Sequence, residues 1–473
     1  MTDVFDIAVV GAGPAGGNAA LAAARNGLRV VLLDEQPQAG GQVWRAKSAA
    51  ILKAPKTIET LAGDVLRRAI ASSDVTHLHG ARVWQISREG DNWQCHILRD
   101  GKSEPVQATS LILAPGAREY VQPVQGWTTP GVIGLAGATA LFKQNLIVPG
   151  QRTVVSGTGP LVFYVASEIR RLGGEVAGIV TPNTRRDWLQ ALPVMLGKPK
   201  LLMRGAVWMV DLMLARVPIY WGHTVTEVLG TTQVSGVQVS KLDADWTPKM
   251  QVTTLQADSL CLGHGLIPQI EAAQMLGVGI THDPASGGWV PNAQDDGSTN
   301  IGNLYLCGDG TGIRGADAAA VQGRVTGMRA ASDLGSDTDQ DMRAAHNEWR
   351  RAAGFGMAMT ALSIPRAGMA RWTTAETIVC RCEGIIKQSV LGEVATGAAT
   401  TNAVKSGVRA GMGPCGGKYC QTAVAALIAD HKGTDVSNIA PPTPRPPLRP
   451  VPLGALAGSF DYDDLPIPKP APL

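Results

Sequence analysis

A Cys-x-x-Cys pair, the arrangement that many thiol–disulfide enzymes use, occurs nowhere in the 473-residue sequence. Three of the seven cysteines, Cys95, Cys261 and Cys307, stand alone, and the last two lie within apolar runs typical of buried strands. Solitary cysteines in such runs act as small hydrophobic residues. Thiol–disulfide exchange is therefore excluded as the main activity.

The sequence also lacks a long apolar run, a secretion signal and a basic surface pattern. The most apolar stretch, residues 201–214, is interrupted by Arg204 and Asp211, so we predict no transmembrane span. The N-terminus, MTDVFDIAVV, has acidic residues before its apolar run, which indicates a strand and not a signal peptide. The net charge is only +3, with no basic patch interleaved with aromatic residues, so no nucleic-acid partner is expected. We expect a cytoplasmic protein whose cysteines stay reduced.

Residues 6–36 carry the pattern of a strand, a glycine turn, a helix and a second strand. In the turn, Gly11 allows the sharp bend, Gly13 lets a diphosphate approach the backbone, and Gly16 lets the helix pack closely on the strand. Glu35 follows the second strand, where a carboxylate can accept hydrogen bonds from ribose hydroxyls. This segment predicts a dinucleotide site with the diphosphate at the helix N-terminus.

Three further segments favour FAD as the nucleotide. LILAPGA (111–117) is an apolar strand that ends in a small-residue turn, and NLYLCGDGTG (303–312) is a strand that ends in Gly308-Asp309. An acid at that strand end can hold a ribityl hydroxyl, and the following helix directs its N-terminus at the flavin. Together with the GGQ segment at 40–42, the set resembles the flavoprotein disulfide reductase fold over roughly residues 1–355. Pro115 departs from that family, which usually has threonine there, so a hydroxyl contact is lost.

A second strand–turn–helix–strand unit at 152–180 has a degraded fingerprint. Its first two glycines are present, but Val162 stands where the third belongs, and no acid follows the second strand. Arg185 and Arg186 could bind the extra phosphate of NADP or could simply be a solvated helix start. Two interpretations stay open: a domain kept for its architecture, or a nucleotide site.

Four cysteines form two close pairs near the C-terminus, Cys380-x-Cys382 and Cys415-x4-Cys420. A [2Fe–2S] cluster needs four thiolates, whereas structural zinc usually has wider spacing within a pair than Cys-x-Cys. The residues between the pairs have a helical pattern, and the glycines of GMGPCGGKYC leave backbone amides free for cluster sulfurs. We therefore predict a [2Fe–2S] cluster in a small helical module that resembles the bacterioferritin-associated-ferredoxin type, with zinc as the alternative.

The end of the chain is rich in proline from residue 436 to residue 473. Prolines predict an extended, non-helical tail, which either docks on a protein surface through its Leu, Phe and Tyr residues or is disordered. The apolar stretch 201–214, with Trp208, is either a core helix or part of a subunit interface.

The order of these motifs resembles the large (α) subunit of bacterial opine oxidases or dehydrogenases, the octopine and nopaline catabolic enzymes. It is also similar to a hydrogen cyanide synthase subunit, to the α subunits of heteromeric proline or hydroxyproline dehydrogenases, and to part of the sarcosine oxidase α subunit. The resemblance implies a β subunit like D-amino-acid oxidase that oxidises the amine, a small γ subunit in some complexes, and an FMN at the α–β interface. It implies that this chain passes electrons to a quinone or respiratory acceptor, without catalytic residues of its own.

The resemblance and the fingerprints together assign residues to the two cofactors. The cluster ligands are the four paired cysteines. The FAD residues are Gly11, Gly13, Pro14, Ala15, Gly16, Glu35, Gln36, Gly41, Gln42, Val83, Ala114, Gly116, Gly308 and Asp309.

The predicted fold is α/β, with two Rossmann-like dinucleotide-binding domains, a small helical [2Fe–2S] domain and an extended tail. The predicted boundaries are 1–150 with 283–360 for the FAD domain, 151–282 for the degraded domain, 375–435 for the cluster domain and 436–473 for the tail. Two other functions stay open, a self-contained NAD(P)H-linked reductase and a scaffold without redox turnover.

Overall fold

The computed structural model describes residues 4–51 and 57–457. Its strands are β1 Phe5–Val10, β2 Val30–Asp34, β3 Thr76–His79, β4 Arg82–Glu89, β5 Asn92–Arg99, β6 Lys102–Leu113, β7 Ala117–Glu119, β8 Val132–Gly134, β9 Arg152–Gly157, β10 Glu175–Thr181, β11 Ile219–Trp221, β12 His223–Leu229, β13 Gly236–Leu242, β14 Pro248–Gln256, β15 Ser259–Gly263, β16 Leu266–Pro268, β17 Ile280–Asp283, β18 Gly288–Pro291, β19 Leu304–Leu306, β20 Ile378–Cys380 and β21 Ile385–Ile386.

The helices are α1 Pro14–Ala24, α2 Ile58–Ala71, α3 Leu135–Asn145, α4 Leu161–Arg171, α5 Arg185–Met195, α6 Pro199–Leu214, α7 Glu271–Met275, α8 Ala316–Asp333, α9 Asp339–Ala361, α10 Lys387–Ala395, α11 Thr401–Val408, α12 Gln421–Lys432 and α13 Leu453–Ala457. Short 3-10 helices cover Pro284–Ser286, Gly308–Thr311, Ala367–Trp372 and Val436–Asn438. None of the helices in the described ranges has the length and apolar character needed to cross a bilayer.

The first sheet has the strand order β3-β2-β1-β6-β5-β4, and β19 pairs with β6. The pairs among β1, β2, β3, β6 and β19 are parallel, whereas β4, β5 and the first half of β6 form an antiparallel meander. The central strands have apolar, buried segments at residues 7–9, 30–33 and 111–113, as expected when helices cover both faces of a parallel sheet. The carboxyl ends of β1, β6 and β19 therefore meet at one edge, where a doubly wound sheet binds its ligand.

Helices α1 and α8 cross this sheet with their backbones in close contact. A Cβ on Gly323 would stand 2.0 Å from the Ala15 carbonyl oxygen, and one on Gly327 would stand 2.3 Å from that of Ala19. The glycine and alanine content of both helices is what permits this approach. The packing fixes the two helix N-termini that face the ligand edge.

The second sheet is parallel, with the order β11-β10-β9-β15-β8, and the antiparallel β12-β13-β14 sheet lies beside it. The structure thus confirms two Rossmann-like units. Sheet membership does not follow the predicted boundaries, however. Strand β8, before residue 151, pairs with β15 in the second sheet, whereas Ala273 and Val278, before residue 283, pack in the core of the first. The domain limits remain a prediction.

The C-terminal module contains β20, β21 and helices α10 to α12 around a core of Val379, Val390, Val404 and Leu427. The helical character predicted between the cysteine pairs is confirmed by α10 and α11. The prediction of a tail without helix is wrong at α13, because the prolines pause after Pro452 and leave the helix-forming run Leu-Gly-Ala-Leu-Ala. The tail from 439 to 452 is otherwise extended, and residues 458–473 lie outside the described residues.

Candidate functional site

A cavity of about 1090 Å³ opens at the carboxyl edge of the first sheet. This volume suits a large ligand, since small-molecule sites commonly hold about 300–1,000 Å³. All predicted FAD residues except Gly16 line it, namely Gly11, Gly13, Pro14, Ala15, Glu35, Gln36, Gly41, Gln42, Val83, Ala114, Gly116, Gly308 and Asp309. The structure brings these residues to one site, and their contacts with FAD remain a prediction.

The three glycines of the turn have different roles. A Cβ on Gly11, whose φ is +102°, would stand 2.4 Å from the Ala114 carbonyl oxygen, and a Cβ on Gly16 would stand 1.8 Å from that of Gly11. These two glycines therefore allow strand, turn and helix to pack. Beside Gly13, in contrast, the nearest atom to a built Cβ is the Gly41 Cα at 3.9 Å. That space above the N-terminus of α1 is where a diphosphate fits.

Two adjacent acids, Asp34 and Glu35, end the second strand. The Asp34 carboxylate accepts hydrogen bonds from the backbone N–H groups of Ala12 at 2.6 Å and Gln36 at 2.7 Å. Burial nevertheless raises the pKa of Asp34. Because Asp34 is engaged in holding the glycine turn, Glu35 is the acid that remains for a ribose. Sequence reasoning missed Asp34, although it stands next to Glu35 in the chain.

The flavin end of the predicted site is formed by Gly308 and Asp309. The N–H of Gly308 donates to Gln322 Oε1 at 2.9 Å, and Asp309 Oδ1 accepts from the N–H groups of Arg314 and Gly315 at 2.9 and 3.0 Å. Burial raises the pKa of Asp309. The acid is thus fixed beside the N-terminus of α8, as the sequence predicts, and this donor set and the open cradle at Gly13 fit FAD.

A buried carboxyl that the sequence did not indicate, Glu119, also lines the cavity. It accepts hydrogen bonds from the first backbone N–H groups of α3, with Ala136 N at 2.8 Å. Burial raises the pKa of Glu119 to about 8, which outweighs those hydrogen bonds. Built Cβ atoms on Gly134 and Gly263 would stand 2.0 and 2.3 Å from its carboxylate oxygens. Glu119 therefore fills a helix N-terminus that would otherwise be open to an anion.

A cationic and aromatic wall closes another side of the cavity. Arg204 of α6 pairs with Glu59 of α2, and its guanidinium lies 5.2 Å from the ring centroid of Trp208 and 5.9 Å from that of Tyr164. Lys143 donates to the Val43 carbonyl at 3.0 Å. This wall connects the second Rossmann-like unit to the GGQ segment of the first.

The second glycine turn has no open cradle. Ser363, which follows α9, lies 3.1 Å from a Cβ built on Gly159 and accepts a hydrogen bond from Thr158 Oγ1 at 2.9 Å. The N–H of Gly159 donates to Asn183 Oδ1 at 3.0 Å, and Asn183 Nδ2 donates to the Leu362 carbonyl at 2.7 Å. The chain's own residues therefore use the groups that a diphosphate would need. Arg185 and Arg186 are exposed at the start of α5, as expected for a solvated helix start.

The four paired cysteines meet across the C-terminal module as Cys380 with Cys420 and Cys382 with Cys415. The Cys420 thiol donates to Cys380 and, despite partial burial, lowers the pKa of Cys380 to about 5. The N–H of Gly411 also points at the Cys380 sulfur, which agrees with the expected glycine-rich cradle. Burial and the Cys415 side chain raise the pKa of Cys382.

This arrangement fits a two-iron cluster better than a single zinc ion. A zinc site would need at least three protein ligands around one point, whereas four thiolates distributed over two irons can meet in pairs.

The cysteine module and the flavin site share one cavity. Arg381, Pro414, Cys415, Lys418 and Tyr419 line the same cavity as the glycine turn. The Arg381 guanidinium lies between two rings, 5.5 Å from Trp127 and 5.0 Å from Tyr419. The structure therefore places a predicted cluster ligand and the predicted flavin residues around one space.

Comparison with known proteins identifies both modules. Residues 5–323 match the family described as pyridine nucleotide-disulphide oxidoreductase, and residues 378–430 match the BFD-like [2Fe-2S] binding domain. The chain belongs to the pyridine nucleotide-disulphide oxidoreductase family. It is a flavoprotein oxidoreductase with FAD and a [2Fe–2S] cluster as cofactors, which confirms the two cofactors predicted from the sequence.

Curated relatives match over almost the whole chain. An opine oxidase subunit of Rhizobium meliloti (strain 1021) is 30% identical over 466 residues, which cover 96% of this chain and 98% of the relative. Hydrogen cyanide synthase subunit HcnB of Pseudomonas protegens is 28% identical over 469 residues, or 95% and 97% of the two chains. These similarities confirm the resemblance to opine oxidase subunits that the motifs indicate.

A solved structure, L-proline dehydrogenase from P. horikoshii, shares the fold. Its TM-score is 0.73 at 20% identity, and the match covers 96% of this chain and 80% of that chain. Both curated relatives are named as enzyme subunits.

Proposed function

We propose that this chain is the α-type, electron-relaying subunit of a heteromeric flavin and iron–sulfur amine dehydrogenase, with an opine as the amine. The observation that carries the proposal is the shared cavity, in which the glycine turn, Asp309 and the predicted cluster ligand Cys415 meet. When bound there, FAD takes up two electrons and a [2Fe–2S] cluster passes single electrons, so the pair suits a relay.

The overall reaction of such a complex is the oxidative cleavage of a secondary amine. The secondary amine loses two electrons and two protons at its C–N bond to give an imine, and water then hydrolyses the imine to an amino acid and a 2-oxo acid. The electrons leave to a quinone or another respiratory acceptor. Amine oxidation belongs to a β subunit like D-amino-acid oxidase, with an FMN at the interface between the two subunits and a γ subunit where the complex has one.

The residues of this chain support a relay more than a self-contained NAD(P)H-linked reductase. The ligand groups of the second glycine turn are taken by Asn183, Leu362 and Ser363. A nicotinamide dinucleotide bound in the usual position would have to displace this segment.

Helix α6 favours a heteromer. The exposure of Val207, Met213 and Leu214, at 61%, 68% and 81%, supports the interface alternative for one side of residues 201–214. The other side is core, since Leu212 is fully buried. Exposed apolar residues continue on neighbouring helices at Ile58, Val65, Leu189 and Leu196. Solvent-facing apolar patches of this kind mark protein interfaces. An adjacent side of α6 contributes Arg204 and Trp208 to the cavity, so a β subunit docked here would lie next to the cavity.

The test is to express the chain alone and together with the subunits encoded beside it, and to assay nopaline, octopine, proline and sarcosine with an artificial electron acceptor. We expect turnover only with the partner. Turnover by the chain alone would contradict the relay role. Turnover with proline or sarcosine but not with an opine, or cyanide formation from glycine, would move the assignment to the proline dehydrogenase or hydrogen cyanide synthase type.

A further inference from the structure

The proline-rich tail crosses the entrance of the nucleotide cavity. Leu448, Arg449 and Pro450 line that cavity together with the glycine turn and Glu35. We call residues 439–450 the strap. Ile439 is buried in the core of the cysteine module, whereas Leu448 packs against the core of the first sheet. The strap therefore runs from one module to the other.

Two polar contacts hold the strap against the first sheet. The N–H of Leu448 donates to the Trp84 carbonyl on β4 at 2.7 Å. Arg449 pairs with Glu35 at 3.4 Å, and Arg82 approaches the other carboxylate oxygen at 3.9 Å. The carboxyl predicted to bind the ribose is thus held between an arginine of the first sheet and an arginine of the strap.

The cysteine loop supports the strap from the other side. Lys418, between Cys415 and Cys420, donates to the Leu448 carbonyl at 3.2 Å and to the Cys415 carbonyl at 3.1 Å. It also lines the cavity. One ammonium group therefore connects the cluster-binding loop to the strap segment next to Arg449.

We propose that the strap is part of the nucleotide site: Arg449 positions Glu35 for the adenosine ribose, Lys418 fixes the strap, and together they retain FAD. The inference rests on bound FAD and not on the relay role or on any amine substrate. Without the strap, the adenosine end would be held by the first sheet alone and would exchange faster with solvent.

The test is the rate of FAD release from the purified holoprotein, followed as the rise of flavin fluorescence after a dilution large enough to prevent rebinding. We expect Arg449→Ala to release FAD about two- to fivefold faster than the wild type, the range of partly exposed ion pairs. Arg449→Lys should restore most of the retention. Arg445→Ala is the matched control, since Arg445 is an exposed arginine of the same strap, and it should release FAD at the wild-type rate.

Two further variants separate positioning from a general loss of structure. Glu35→Gln combined with Arg449→Ala should release FAD little faster than Glu35→Gln alone, because the arginine acts through the carboxylate. Lys418→Met should accelerate release while its iron and sulfide content stays at the wild-type level. The proposal is overturned if Arg449→Ala and Lys418→Met release FAD at the rate of Arg445→Ala, or if the effects of Glu35→Gln and Arg449→Ala multiply independently. An amine assay that contradicts the relay role would leave both results unchanged.

Discussion

The two Rossmann-like units of this chain share a topology but differ at the glycine turn. In the first unit, Gly16 lies against the Gly11 carbonyl and the space beside Gly13 is open. In the second, the corresponding third position is Val162, and the space beside Gly159 is taken by Ser363. Helix α1 begins at Pro14, directly after the second glycine, whereas α4 begins at Leu161, one residue later relative to its own glycine.

The difference supports the interpretation that the second unit is kept for its architecture. A valine is accommodated, fully buried, when the helix start is displaced from the turn. The freed backbone donor then binds Asn183, which in turn holds the end of α9. The second unit therefore anchors the connection between the first sheet and the cysteine module.

The largest effect is expected from Gly16→Val, which gives the first unit the residue found in the second. Its Cβ would stand 1.8 Å from the Gly11 carbonyl oxygen, so α1 must move away from the turn and the diphosphate cradle is lost. We expect almost complete loss of FAD, measured as flavin absorbance per chain. Val162→Ala in the second unit is the control and should keep the flavin; full flavin content in Gly16→Val would contradict the account.

A second large effect concerns the cluster. Cys415→Ser removes one of the four thiolates, so iron should fall from about two per chain to near zero, with the same loss of acid-labile sulfide. Cys95→Ala, a change at a buried cysteine outside the C-terminal module, should leave both values unchanged. Stoichiometric zinc without sulfide in the wild type would support the alternative metal site.

The buried carboxyl at the junction of the two units predicts a pH dependence. Because the pKa of Glu119 is raised to about 8 in the fold, the folded protein holds this proton more tightly than the unfolded chain. The stabilisation is complete below the unfolded pKa of about 4.3 and is lost as pH rises through about 8. As the pH rises from 5 to 9, the melting temperature of the wild type should fall, and that of Glu119→Gln should fall less. Glu104→Gln, at an exposed position, should follow the wild type. Parallel curves for the wild type and both variants would refute the raised pKa of Glu119.

The smallest effect is expected at the filled cradle of the second unit. Ser363→Ala removes the hydrogen bond from Thr158 and should lower the free energy of unfolding by about 1 kcal/mol. Flavin content should not change, because the first unit is untouched. Ser406→Ala, an exposed helix position, should cost less than about 0.5 kcal/mol. If Ser363→Ala lowered the FAD content instead, the glycine turns of the two units would not be independent of each other.

Local sequence patterns were enough to predict the first fingerprint, the paired cysteines and the degraded second turn. Each depends on residues within a short stretch, where glycine spacing and strand periodicity carry the information. The role of Asp34 was missed, because it depends on which acid the turn's own backbone N–H groups bind. Ser363, Glu119 and Arg449 were missed for a related reason. Each reaches its site from a distant part of the chain, and none belongs to a motif that marks it.

The apolar helix α6 shows a similar limit. Its composition allowed both a core and an interface, and only the packing of α5 and α2 beside it shows that Met203, Val207 and Val210 stay exposed. The tail likewise was predicted to be extended, but only the folded structure shows that it crosses the flavin cavity.

The most direct test of the relay is an anaerobic titration of this chain, alone and in complex with its neighbouring subunits, followed by flavin absorbance and by electron paramagnetic resonance of the reduced cluster. We expect the opine to reduce both centres of this chain only in the complex, and NADH or NADPH to reduce neither preparation. Rapid reduction of the isolated chain by NADH, NADPH or the amine itself would contradict the relay role of this chain.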